Sequence, residues 1–198
     1  MIFIEKIKWF FVIIIVFIIV LSTNLIDKKN FNDINNAITS IYEDRLIAIN
    51  LLYDMSNILY QKEIYMQEED YFYHFKDQIH LNNLFEEKIS IFENTKLTIK
   101  EDDLFLQLKK TFYKLSTIEN EVKTGSIDEK ELHKSIVKEL HNLIDRLVVL
   151  QVKEGENQFI QGNRSMYFID FFTQIEIITL IILSILMQVI IFYKSPRK

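Results

Sequence analysis

The sequence has no cysteine, one proline and three glycines in 198 residues. The first absence excludes disulfides, thiolate metal sites and a cysteine nucleophile. So few backbone breakers in a chain this long point to an all-helical protein. No HExxH, glycine-rich phosphate loop or nucleophile–base arrangement is present, so no enzyme activity and no cofactor are expected. The four histidines, His74, His80, His133 and His141, lack the i, i+4 spacing of a helical metal site. They are expected at the surface, and no metal site is predicted. The net charge is −5, and the region 27–175 is more acidic than the whole chain. Such a surface repels nucleic acid, which is therefore excluded as a partner.

What the sequence has in quantity is apolar residues, 49% of the total, concentrated at the two ends. Trp9–Leu21 is uninterrupted apolar, and Ser22-Thr23-Asn24-Leu25-Ile26 prolong it. The resulting stretch, 9–26, approaches the ~20 residues that cross a bilayer as a helix. Lys6 and Lys8 would suit a signal peptide, but no small-x-small cleavage site follows, so an uncleaved anchor is predicted. The second apolar stretch is 177–193. Within it Gln188 is the residue that asks for a partner in lipid, and it is a candidate helix–helix contact; a tolerated polar residue is the alternative. Lys194, Arg197 and Lys198 follow this span, whereas Asp170 and Glu176 precede it. The asymmetry predicts a cytoplasmic C-terminus and, with two spans, a cytoplasmic N-terminus. The expected organisation is a cytoplasmic N-terminus 1–8, a span 9–26, an extracytoplasmic domain 27–176, a span 177–193 and a cytoplasmic tail 194–198.

The middle region has the periodicity of packed helices. Phe31, Ile34, Ile38, Ile41, Arg45, Ala48, Leu52, Met55 and Leu59 alternate at spacings of three and four. A second stripe, Tyr42, Leu46, Ile49, Tyr53 and Tyr60, runs beside it. It serves either one broad core-facing surface or a contact with another subunit, so a homodimer is expected. Capping-box patterns at Thr98–Glu101 and Ser126–Glu129 mark two further helix starts. Another seam reads Leu132, Ile136, Leu140, Leu143, Leu147 and Leu150, then loses its apolar residues at Glu154 and Asn157. The glycine-containing stretch 153–164 is predicted to be the weakest-packed part of that helix. The first turn is placed within 67–78. These elements predict an antiparallel up-down four-helix bundle flanked by two transmembrane helices.

The stretches "SIYEDRLIAINLLYDMSNILY" (40–60), "KLTIKEDDL" (96–104) and "LVVLQVKEGENQ" (147–158) resemble the four-helix-bundle sensor domain of bacterial methyl-accepting chemotaxis receptors. The resemblance covers roughly residues 5–195. It implies a sensory module of the bacterial inner membrane, with the bundle outside the cytoplasm, that detects an external signal or small molecule. Those receptors continue into a HAMP-type linker and a kinase-binding coiled coil, neither of which occurs in these 198 residues. The output is therefore expected to pass to a signalling protein in trans. The alternative is an accessory or structural membrane protein that uses the bundle for protein–protein interaction without a ligand.

Arg45 interrupts an otherwise apolar seam, and an unpaired buried guanidinium is costly. With Tyr42 it is a candidate anchor for a small anion, a reading the resemblance encourages. A structural pair with Glu43 or Asp44, or a head group reaching water, is the alternative.

Overall fold

The computed structural model describes residues 2–67, 75–121 and 127–192. The turn expected within 67–78 therefore falls largely, at 68–74, outside the described residues. So do Ser126 of the second capping box and the basic tail 194–198. The described chain is all-helical: α1 (Ile2–Thr39), a π-helical segment (Ser40–Leu46), α2 (Ile47–Gln67), α3 (Phe75–Glu93), α4 (Ile99–Glu121) and α5 (Ile127–Phe192). It divides into two compact units, one comprising Thr39–Gln158 and the other Met1–Ile38 with Phe159–Lys198.

The first of these units is a four-helix bundle. Its core is built from seams that run with near-perfect heptad spacing. In the first helix the seam is Ala48, Leu52, Met55 and Leu59; in α4 it is Phe105, Leu108, Phe112 and Leu115; in α5 it is Val137, Leu140, Ile144 and Leu147. Phe85, Ile89 and Phe92 are the contribution of α3. Phe92 meets Phe105 at 4.7 Å between ring centroids, and Phe85 stacks on Phe112 at 4.2 Å. Each fully buried side chain of this kind stabilises by about 1.5–3 kcal/mol relative to exposure.

Contacts fix the helix directions. Arg45 meets Glu101 and Gln151, whereas Lys62 meets Gln78 and Glu119. Numbering thus rises together in α2 and α4 and falls in α3 and α5, which is the up-down alternation predicted. Between α3 and α4 the chain turns tightly, with Thr95 N donating to Phe92 O at 3.0 Å and Thr95 Oγ1 to the same oxygen at 2.7 Å. The Thr98–Glu101 capping box then starts α4. Thr98 N donates to Glu101 Oε2 at 2.6 Å and Glu101 N donates to Thr98 Oγ1 at 3.4 Å.

The first predicted seam holds only from Arg45 onward. Phe31 is 66% exposed and Ile38 62% exposed, whereas Ala37 is buried. The π-helical segment explains the difference. A π turn holds more residues than an α turn, so the regular three-and-four spacing is interrupted across Ser40–Leu46. A side-chain bond from Ser40 Oγ to Asp44 Oδ2, 2.8 Å long, spans this segment. In α5 the predicted seam residues Ile136, Leu140, Leu143 and Leu147 are buried, whereas Leu132 is exposed; Val137 and Ile144 share the core with them. The unit boundary at Gln158 lies within the stretch 153–164 predicted to be weakly packed, although α5 stays helical through it.

In the second unit, Gly162 is where two helices approach closely. A Cβ added there would lie 3.3 Å from the Cβ of Ala37. The polar residues that prolong the first apolar stretch are satisfied on their own helix. Ser22 Oγ donates to Ile18 O at 2.8 Å, Thr23 Oγ1 to Val20 O at 2.9 Å, and Asn24 Nδ2 to Val20 O at 3.1 Å. Among the described residues one helix, within Lys130–Leu186, is long and apolar enough to cross a membrane, and none of its apolar window is buried.

Candidate functional site

Followed to their ends, the bundle seams terminate in polar side chains. The α2 seam begins with Arg45 in the π-helical segment and ends with Lys62. The α4 seam begins with Glu101 and ends with Glu119, and the α5 seam begins with His133 and ends with Gln151. All six side chains are buried. The up-down alternation brings them together as two polar layers, one at each end of the apolar core.

The first layer is centred on Arg45. Its Nη1 donates to Glu101 Oε1 at 2.7 Å and to Gln151 Oε1 at 2.8 Å, and its Nη2 donates to the Lys96 carbonyl at 3.2 Å. One guanidinium therefore holds α4, α5 and the α3–α4 turn. The partner is Glu101, 56 residues away, and not the sequence neighbours Glu43 or Asp44. Glu101 serves twice, since its second oxygen caps α4. Arg45 Nε and Gln151 Nε2 have no hydrogen-bond partner. Gly155 packs over the Arg45 stem, where an added Cβ would make ordinary contacts of 4.0 Å with Cβ and Cγ. Tyr42, the other predicted ligand residue, is 64% exposed, on the outside of the same segment. The structure thus buries Arg45 and leaves Tyr42 at the surface.

The second layer draws on all four helices. Lys62 Nζ lies 2.9 and 2.7 Å from the two Glu119 oxygens and 3.0 Å from Gln78 Oε1. Asn82 Nδ2 donates to Glu119 Oε2 at 3.0 Å, and His133 Nε2 is 2.8 Å from Glu119 Oε1. Glu119 is the hub, with three side chains converging on one carboxylate. Gln78 Nε2 and Asn82 Oδ1 are buried without partners. The expectation of surface histidines is overturned for His133, which lies in this core layer. His141 is half-buried, its ring against Tyr60 at 4.5 Å and its Nδ1 3.4 Å from Ser56 Oγ. His80 is exposed, and His74 lies outside the described residues.

Burial governs the charge states in this second layer. It holds the Lys62 amine below its ordinary range, an effect the charge and hydrogen bond of Glu119 offset only in part. For Glu119 burial alone would raise the carboxyl, but the His133 hydrogen bond and the Lys62 ammonium together bring it below its ordinary value. A carboxylate depressed in the folded state stabilises fully above its unfolded pKa of 4.5 and loses that contribution as pH falls through the folded value. The urea midpoint of the wild-type chain should therefore drop on acidification below 4.5, and drop less in Glu119→Gln.

Other features are simpler. Gln188 is exposed on α5. An open groove between α4 and α5 is lined by Lys100, Asp103, Asn142, Asp145 and Arg146 over Leu104. Among the described residues no group of three His, Asp or Glu side chains is placed to hold a metal ion.

Comparison with known proteins gives one family. A family model described as a four helix bundle sensory module for signal transduction matches residues 4–158. No curated protein and no solved structure matches the chain.

Proposed function

From the membership of this chain in the family of four-helix-bundle sensory modules for signal transduction, we propose that it is a membrane-anchored sensor. In this reading the bundle lies outside the cytoplasm of a bacterial cell, detects an external signal or small molecule, and passes the change to a signalling protein in trans. The family match over 4–158 carries the reading, and the family is a sensory rather than a catalytic one. Two further observations support it. The helix α5 is continuous from the bundle core into the apolar stretch, so the chain that leaves the core carries directly into it. In addition, among the described residues α5 is held to the bundle's two charged pairs through Gln151 and His133, whereas α2 and α4 are joined by an ion pair in each layer.

A thermal-melt screen of the full chain in detergent, against a panel of small metabolites, tests the sensing role. A specific metabolite that raises the melting temperature supports it, because a ligand of the native state stabilises by mass action. If none does and only another protein binds, the chain is instead an accessory membrane protein.

The exposed stripe along α2 and the segment before it favours a dimer. Tyr53, Tyr60 and Ile64 of α2 stand outward at heptad-like spacing, with Tyr42 and Leu46 in the preceding π-helical segment. Cysteines placed at Tyr53 or Tyr60 should cross-link two copies in the membrane, whereas one at Glu86, on the solvent face of α3, should not. Equal yields at all three positions would reject this interface.

A further inference from the structure

Four features invite a role beyond those above. The Arg45 layer belongs to the site already described. The groove between α4 and α5 is open and mixes both charge signs. The apolar faces of α1 and α5 are those expected of membrane spans. The remaining feature, the layer of Lys62, Glu119 and His133, combines full burial with a titratable ring that neither core packing nor the family assignment requires.

We propose that this layer is a proton-binding site, with His133 as the acceptor, through which the bundle responds to the pH of the medium around it. The proposal rests on the sensing reading and names the ligand as the proton.

The argument is one of charge balance. Among the described residues the groups facing His133 are Lys62 from α2, Glu119 from α4 and the neutral carboxamides of Gln78 and Asn82 from α3. With a neutral imidazole the layer holds one ammonium and one carboxylate and is balanced. Proton uptake by His133 leaves one uncompensated positive charge in a core that excludes water. The layer already tolerates charge poorly, since burial outweighs the carboxylate's attraction at Lys62. Two cations would then compete for Glu119 Oε1, which Lys62 holds at 2.9 Å and His133 at 2.8 Å.

Which helix yields follows from the bonds. Lys62 contacts both oxygens of Glu119 and so keeps α2 and α4 together. Among the described residues α5 is held in this layer by the His133 bond. Moving that ring toward water restores the balance, so acidification releases the N-terminal part of α5, the helix that continues into the apolar span.

The test uses the full chain in lipid nanodiscs, with histidine rings isotope-labelled for NMR. Ring signals are followed between about pH 5 and 8, the interval in which an imidazole switches a protein. Amide exchange is measured over the same range and corrected for its intrinsic pH dependence. The His133 ring signals should shift, and opening of α5 around residues 130–143 should increase about tenfold or more on acidification. In His133→Gln the increase should vanish. Should that variant not fold, a chain with His74, His80 and His141 all changed to Gln leaves His133 as its only ring. Its titration and the opening should then share one midpoint. A ring that does not titrate, an increase that persists in His133→Gln, or two distinct midpoints would each overturn the proposal. These readouts need no signalling partner. A chain that titrates and opens yet drives no output would refute the sensor reading and leave the proton site standing.

Discussion

Glu119→Leu should destabilise the bundle by about 3–5 kcal/mol, the cost of leaving a buried charge without its partner. Lys62 would lose both carboxylate oxygens and retain only Gln78 Oε1, at 3.0 Å, while Asn82 and His133 would lose their acceptor. The informative partner experiment is Lys62→Met/Glu119→Leu. Removing both charges abolishes the desolvation cost of each, and buried pairs exchanged for apolar residues of similar volume are commonly neutral or stabilising. Here recovery should stop short of the wild type. The double variant still buries Gln78, Asn82 and His133 without partners, at about 1–3 kcal/mol for each unsatisfied group. Thermal melts of the two single variants and the double variant give the coupling energy directly. A Glu119→Leu loss below about 1 kcal/mol, the range of an exposed pair, would contradict the burial of this layer. The double variant also separates two roles of the layer. If it melts near the wild type but no longer forms a unique bundle, the charges specify register rather than supply stability.

The two polar layers were legible in the sequence in a form that the search for apolar repeats conceals. Stepping from Val137, Leu140, Ile144 and Leu147 outward by the same heptad spacing lands on His133 and Gln151. The same step from Ala48 and Leu59 lands on Arg45 and Lys62, and from Phe105 and Leu115 on Glu101 and Glu119. A seam traced through Leu132, Leu143 and Leu150 is also helical in spacing, because a bundle helix has a face wider than one line of residues. Choosing the all-leucine line made His133 look superficial. Arg45 was visible because it lies inside an apolar run, whereas Lys62 lies just past the end of one. The pairing itself was not legible. Arg45 had two acidic neighbours in sequence, and the choice of Glu101 follows from α4 being packed parallel to α2. Nor was the π-helical segment: the heptad from Phe31 to Arg45 is unbroken in sequence, and tertiary packing of Ala37 in place of Ile38 decides the phase. By contrast, the all-helical fold and the Thr98–Glu101 box followed from local chemistry alone, since scarce breakers and a capping pair act within one element.

Arg45→Leu should also cost about 3–5 kcal/mol, because it strands the Glu101 carboxylate, which is wholly buried. Arg45→Lys distinguishes charge from geometry. A lysine retains the ion pair with Glu101, but a single ammonium cannot reproduce the planar fork that reaches Glu101, Gln151 and the Lys96 carbonyl together. The expected loss is intermediate, at about 1–3 kcal/mol for the acceptors left unpaired. Because Gln151 is on α5, the same substitution should loosen the segment around it. Amide exchange near residues 147–155 should rise in Arg45→Lys while exchange near Leu108 and Leu140, in the apolar layers, stays close to the wild type. An anion-binding role for Arg45 makes a different demand. An anion could engage the guanidinium only through the Nε that has no partner, or by displacing Glu101 or Gln151. Either mode would stabilise the native state by mass action, so anion titration should then raise the melting temperature of the wild type, and by less in Arg45→Lys. A melting temperature that ignores the anion in both chains leaves Arg45 as what its bonds already make it, the tie that holds α4 and α5 to the start of the bundle.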